Sequence, residues 1–108
     1  YTVNGTFDGA PDTFYTSDIV TISTNTNNTI LFNKFVNYKD AIVYANISGN
    51  VITIPEQNVV CGKDNVSRRF IGTGSVTNAT SFQIAGSVAL TSDDPNVKIY
   101  WQYTFTKN

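Results

Sequence analysis

Residues 81–106 read SFQIAGSVALTSDDPNVKIYWQYTFT, and this stretch decides the fold. Phe82, Ile84, Gly86, Val88 and Leu90 alternate with Ser81, Gln83, Ala85, Ser87 and Ala89. After a break, Val97, Ile99, Trp101, Tyr103 and Phe105 alternate with Lys98, Tyr100, Gln102 and Thr104. A period of two marks strands with one buried face. Between the runs stands T-S-D-D-P-N, in which Asp and Asn bond their own backbone and Pro fixes φ, so the chain reverses there. The product is a long antiparallel hairpin with one apolar face. A lone hairpin is marginal in water, so further strands must cover that face.

Toward the N-terminus, residues 66–76 form another run in which Gly72 and Gly74 sit two apart on one face. Such a pair predicts a sharply coiled strand, or an aromatic ring lying over the backbone. C-G-K-D-N at 61–65 is a polar turn. Residues 51–54 form a strand that Pro55 ends or bends, because Pro cannot donate to a ladder, and 56–60 resume it. Gly49-Asn50 tolerates positive φ and turns the chain back to a strand at 40–48. In 29–36, TILFNKFV, Ile30 and Phe32 face one way while Leu31 and Phe35 face the other, which predicts a bulge or burial on both sides. Residues 14–24 form a strand around Ile19, Val20 and Ile22, bounded by D-G-A-P-D at 8–12 and N-T-N-N at 25–28. Residues 1–7 form the first, with Gly5 where backbone or a bulky neighbour comes close.

No window carries a helical repeat of apolar residues long enough for a helix, so the domain is all-β. About eight strands at short, even spacing indicate a barrel or a sandwich. Successive hairpins make a meander, which can pair its last strand with its first and remove both exposed edges. The sequence therefore predicts one domain over 1–108, an antiparallel up-and-down barrel, with 1–7 paired to 97–106. A Greek-key β-sandwich is the alternative, and it needs crossovers for which the short connections leave no room. The expected inward set is Val20, Ile22, Phe32, Val43, Ala45, Ile47, Ile52, Ile54, Phe82, Ile84, Val88, Leu90, Val97, Ile99, Trp101, Tyr103 and Phe105. These large side chains fill a barrel of about eight strands and leave no drug-sized cavity.

Apolar residues make up 41% of the chain and charged ones 14%, so Thr, Asn and Ser must solvate the surface. With a net charge of −1 and Lys and Arg dispersed apart from Arg68-Arg69, no footprint for a phosphate backbone is legible, and nucleic acid is not an expected partner. The absence of His removes the usual general base at neutral pH, and one Cys permits neither an internal disulfide nor a Cys-rich zinc site. No apolar run reaches the roughly 18 to 20 residues of a transmembrane helix. A charge-poor, Asn- and Thr-rich chain opening on Tyr1, without initiator Met or signal peptide, reads as a mature or trimmed exported protein.

The segment VYANISGNVITIPEQ at 43–57, with TILFNKF before it, GTGSV after it and the opening V-x-G-x-F, resembles small cell-envelope lipoproteins of the Bacteroidetes group. That resemblance covers most of the chain, through strand and turn patterns rather than site motifs. It implies a compact lipocalin-type barrel, export to the outer membrane or beyond, and a lipid anchor on a Cys upstream of Tyr1. It carries over no catalytic residues. A second resemblance is to the avidin and lipocalin superfamily, through Gly5-Thr6-Phe7 and the final YTFTK. Phe7 stands where such barrels have Trp, and Trp101 is the only Trp, which argues against biotin.

Candidate chemistry is sparse. The acidic loops at 8–12 and 93–96 hold oxygen ligands of the kind calcium takes, but neither has EF-hand spacing, and ordinary turn chemistry accounts for them. Arg68 and Arg69 sit in a strand, so alternation aims one guanidinium toward the interior or its mouth, where it could hold a carboxylate. Pairing with Asp40, Glu56 or Asp64 is the simpler role. Five sequons, at Asn4, Asn27, Asn46, Asn65 and Asn78, follow from the composition alone. Cys61 has Lys63 nearby but no His and no oxyanion motif, which makes it an idle thiol. Tyr15, Tyr38, Tyr44 and Tyr100 are candidate sugar-stacking rings. The expectation is a non-enzymatic exported module without cofactor or metal. A small-ligand carrier and a carbohydrate-binding module are the alternatives, and Trp101, Tyr103, Arg68 and Arg69 are the candidate ligand contacts for an apolar ligand or a glycan.

Overall fold

The computed structural model describes residues 1–16, 19–23, 28–94 and 96–107, with backbone alone over 11–16, 19–23, 28 and 37. Its strands are β1 (Thr2–Phe7), β2 (Ala10–Thr16), β3 (Ile19–Ser23), β4 (Asn28–Phe32), β5 (Val43–Ser48), β6 (Val51–Cys61), β7 (Val66–Asn78), β8 (Ser81–Leu90) and β9 (Ile99–Thr106). Among the described residues these nine make one antiparallel sheet in the order β2-β1-β9-β8-β7-β6-β5-β4-β3. Every pair except β1–β9 is also adjacent in sequence. The chain is a meander whose first strand joins its last.

That joining matches the sequence expectation, running from Thr2↔Thr106 to Phe7↔Trp101. The closed barrel does not: among the described residues no ladder links β2 to β3, and the sheet is open there. Asp8 and Gly9, both at positive φ (55° and 77°), make a two-residue reversal of the kind that suits hairpins. The chain folds back along β1 as β2 from Ala10, four residues before the strand expected over 14–24, and β3 within that expected range pairs with β4. Pro11 is tolerated because β2 lies at the end of the sheet order, where a missing donor breaks no second ladder. The free edges fit the sandwich alternative, reached without Greek-key crossovers. The open sheet still wraps its apolar face. Five strand spacings separate β4 from β9, about 24 Å if the sheet were flat, yet the rings of Phe32 and Phe105 lie 5.3 Å apart.

Inside the wrap, Phe32, Phe35, Phe70, Phe82, Phe105 and Trp101 form a continuous aromatic cluster. Phe82 stacks on Phe105 at 4.7 Å and Phe35 meets Trp101 edge to face at 5.2 Å. Offset-stacked and edge-to-face pairs are the favoured ring geometries. Val3, Ile30, Val43, Ala45, Ile52, Ile54, Cys61, Ile84, Val88 and Tyr103 complete the core set from the strands. The predicted inward residues agree with this except at Val97, which is exposed because the turn extends through it, its N–H donating to Asp94 O at 2.8 Å. Ile47, Leu90 and Ile99 are half-buried. Val20 and Ile22 lie outside the described side chains.

The irregular stretch 29–36 is neither a bulge nor a strand buried on both sides. β4 stops at Phe32, and Lys34 and Val36 both take left-handed backbone at φ 53° around a 3₁₀ turn, Phe35–Asn37. This reversal swings Phe35 and Val36 into the end of the core. A β-branched residue at positive φ is held there at a cost of about 1–3 kcal/mol, which the burial of Phe35 offsets. Loop 33–42 thus closes one end of the sheet. It is tied by Phe35 N–H to Ala41 O (3.0 Å), Tyr38 N–H to Phe35 O (3.1 Å) and Gly62 N–H to Lys39 O (2.7 Å).

Candidate binding clefts

From Ala85 onward the outward residues of β8 are small, Ala85, Ser87 and Ala89, while the strands on either side carry larger ones. Register sets Ile71 opposite Ser87 and Ser87 opposite Tyr100. In the next row Thr73, Ala85, Gln102 and Thr6 line up across β7, β8, β9 and β1. Two strand spacings separate β7 from β9, so a groove about 10 Å wide runs along β8. Its upper reach is an open cleft of about 710 Å³ lined by Thr6, Gly9, Ile71, Thr73, Ala85, Ser87, Tyr100 and Gln102, with Gly72, Gly86 and Trp101 beneath. Tyr100 is 67% exposed and Ile71 45%. Past Ser87 the groove continues between Ile71 and Ala89 to Glu56, Arg69 and Lys98.

Trp101 lies behind this groove, on the core side. An added Cβ at Gly86 would stand 2.8 Å from Trp101 Cζ2, and one at Gly72 2.9 Å from Cη2. The indole therefore lies across two glycine backbones that pair with each other. The ring expected over Gly72 is this one. Gly74 instead packs against β8, where a Cβ would strike Gln83 O. Trp101 is 2% exposed, and its Nε1 is buried without a hydrogen-bond partner among the described residues. Tyr103, 0% exposed, also belongs to the packed core.

The two arginines diverge. Arg69 points to the groove side, its Nε 3.6 Å from Glu56 Oε1 and its Nη2 buried without a partner among the described residues. Arg68 reaches the closed end of the sheet. There Nη1 and Nη2 donate to Asp64 Oδ1 (2.9 Å) and Oδ2 (2.8 Å), Nη1 also donates to Cys61 O, and the guanidinium lies 4.6 Å over the Tyr38 ring. Asp64 and Glu56 are thus the arginines' partners. The Arg68 hydrogen bonds hold the Asp64 carboxyl below its ordinary range. Gly62, at φ 89°, leaves room for this pair, since a Cβ there would sit 2.6 Å from Arg68 Nη1.

Around that pair opens a second cleft, of about 650 Å³, lined by Lys34, Tyr38, Lys39, Gly62, Lys63, Asp64 and Arg68. Sequence reasoning missed it, because its cations are scattered over 35 positions and meet only when loop 33–42 docks on the β6–β7 turn. Cys61 lies beneath it, fully buried, and burial pushes its thiol up despite the adjacent Arg68, so it is a poor nucleophile. Burial likewise raises Tyr38. In the 93–96 loop, Asp94 Oδ1 accepts from Asn96 N–H at 2.8 Å, so this carboxylate serves the turn. Tyr44 is 40% exposed on another part of the sheet, and Tyr15 lies outside the described side chains. No protein-family model, curated protein or solved structure matches this chain.

Proposed function

We propose that the domain is a non-enzymatic binding module, exported to the cell envelope or beyond, that holds a neutral saccharide in the groove over β8. The composition of the groove's upper reach carries the reading. Among the described residues no charged side chain lines it, one exposed tyrosine forms its wall, and Thr6, Thr73, Ser87 and Gln102 set hydrogen-bonding groups around an apolar floor. Such a surface offers nothing to offset the desolvation of a charged ligand. It suits a molecule with an apolar face for the ring and hydroxyls for the rim, which a pyranose supplies. The interior supports a carrier less well, because aromatic rings occupy it. Export rests on the charge-poor, Asn- and Thr-rich surface, and envelope tethering on the lipoprotein resemblance; the coding region upstream of Tyr1 should specify a signal peptide ending in Cys.

Titration of the ¹⁵N-labelled domain with neutral gluco-, xylo- and manno-oligosaccharides tests the site. Saturable amide shifts should gather at residues 71–73, 85–87 and 100–102, and Tyr100→Ala should weaken binding about tenfold, equivalent to about 1.4 kcal/mol. Unchanged affinity in Tyr100→Ala, or shifts gathered elsewhere, would remove the groove from the reading.

A further inference from the structure

We propose that the cleft between loop 33–42 and the β6–β7 turn is a binding site for a tetrahedral oxyanion, a phosphate or sulfate group. The inference stands apart from the saccharide reading, on another end of the sheet and another chemistry. Four of the chain's seven Lys and Arg residues line this cleft, against one acid, a local balance of +4 − 1 = +3 on a chain whose net charge is −1.

The acid does not neutralise the lysines. Both carboxylate oxygens of Asp64 accept from Arg68, and among the described residues no ion pair or side-chain hydrogen bond joins Lys34, Lys39 or Lys63 to any acid. Asp40, in the same loop, is exposed and does not line the cleft. Three ammonium groups around one concavity repel each other, and among the described residues no carboxylate is paired with any of them. A bound anion relieves that repulsion.

The frame around these charges is fixed. Lys34 and Lys39 bracket the turn that Phe35 anchors in the core, and the Gly62 N–H bond to Lys39 O locks loop and turn together. Arg68 holds the wall in place, pinned by Asp64, Cys61 O and the Tyr38 ring.

The lining also selects the ligand class. A carboxylate is best held by the planar fork of an arginine, and the fork here is already engaged with Asp64. Lysines remain, which act as point charges and suit the radial oxygens of a phosphoryl or sulfuryl group.

The test is titration of the ¹⁵N-labelled domain at low ionic strength with inorganic phosphate, sulfate and acetate, with sodium chloride matching ionic strength. Phosphate and sulfate should give saturable shifts grouped at residues 34–41 and 62–65, and acetate should bind at least fivefold more weakly. Glucose 6-phosphate and glucose 6-sulfate then separate the two sources, the tighter one naming the ester the site takes. The variant Lys34→Gln/Lys39→Gln/Lys63→Gln should raise the phosphate dissociation constant at least tenfold, with its unfolding midpoint equal to or above that of the parent. Lys98→Gln/Lys107→Gln, with its substitutions outside the cleft, should stay within twofold. Shifts that follow ionic strength without saturating, acetate binding as tightly as phosphate, or equal losses in the two variants would overturn the proposal. Neutral saccharide shifts at residues 71–73, 85–87 and 100–102 would be unaffected by either result.

Discussion

Replacing Trp101 by Ala probes the packing around which the open sheet wraps. The indole is 2% exposed, meets Phe35 edge to face and lies across Gly72 and Gly86. Burying roughly 200 Å² of such a ring at about 25 cal/mol per Å² gives about 5 kcal/mol. Measured aromatic truncations in cores span about 3–5 kcal/mol. Two local features move the number in opposite directions. Glycines have no side chains with which to fill the space, so the site collapses poorly. The orphaned Nε1 is removed as well, returning about 1–3 kcal/mol of desolvation cost. The expected loss is about 3 kcal/mol. It should be read by urea denaturation followed by far-UV circular dichroism, because the variant lacks the only Trp. Gly72→Ala supplies the control. Its Cβ would crowd Trp101 Cη2 at 2.9 Å and Ala85 O at 2.8 Å, so it should be destabilising alone and partly rescued by Trp101→Ala, with a coupling of about 0.5–3 kcal/mol. A Trp101→Ala loss under about 1 kcal/mol, or strictly additive costs in the double variant, would refute this packing.

Phe35→Ala should cost about 3–5 kcal/mol in thermal or urea unfolding, since the ring contacts Phe32, Phe70 and Trp101; a loss under about 1 kcal/mol would mean that loop 33–42 does not depend on it. Burial raises Cys61 in the folded chain, so its contribution is present below the unfolded value of about 8.5 and declines as pH rises through the folded one. Urea midpoints should therefore fall as pH rises above about 8.5, less steeply in Cys61→Ala, and a flat profile would contradict the burial. Asp64 behaves in the opposite sense. Its folded value is depressed, so its contribution is present above about 3.9 and is lost as pH falls through the folded value, and Asp64→Asn should flatten that acid limb. Gly5→Ala would drive a Cβ into Gln102 O and should strip hydrogen-exchange protection from β1 and β2 while β6 to β8 keep theirs; uniform protection would argue against the β1–β9 register.

The strands whose residues alternate were legible because alternation and burial share one cause, the pleat. Ser81 to Leu90 and Ile99 to Thr106 fall where the pattern puts them. Reading failed where the backbone leaves the pleat. Phe35 and Val36 reach the core through two left-handed residues, Lys34 and Val36, for which neither has a glycine to announce it. Val97 continued the alternation on paper, but Asp94 had already claimed its N–H for the turn. Asp8-Gly9 looked like the start of a five-residue loop because Pro11 followed, and Pro11 is acceptable only once β2 is known to be an edge. The groove left a readable sign, the small outward set Ala85, Ser87 and Ala89 in an otherwise bulky hairpin. The basic cleft left none, since Lys34, Lys39, Lys63 and Arg68 become neighbours through one main-chain bond between Gly62 and Lys39.

The pairing of β1 with β9 sets a timetable for folding. Each other ladder joins strands that follow one another in the chain, so those hairpins can form as the polypeptide emerges. β1 must wait for a partner about 100 residues later, a delay of about 5–20 s at ordinary synthesis rates of about 5–20 residues per second. Until then Val3 and the β1–β2 hairpin have no sheet to join, and the edge of β8 that β9 will cover remains open to other strands. Among the described ladders the β1–β9 contacts carry the longest loop closure, so the docking of residues 1–16 is expected as a late step of folding.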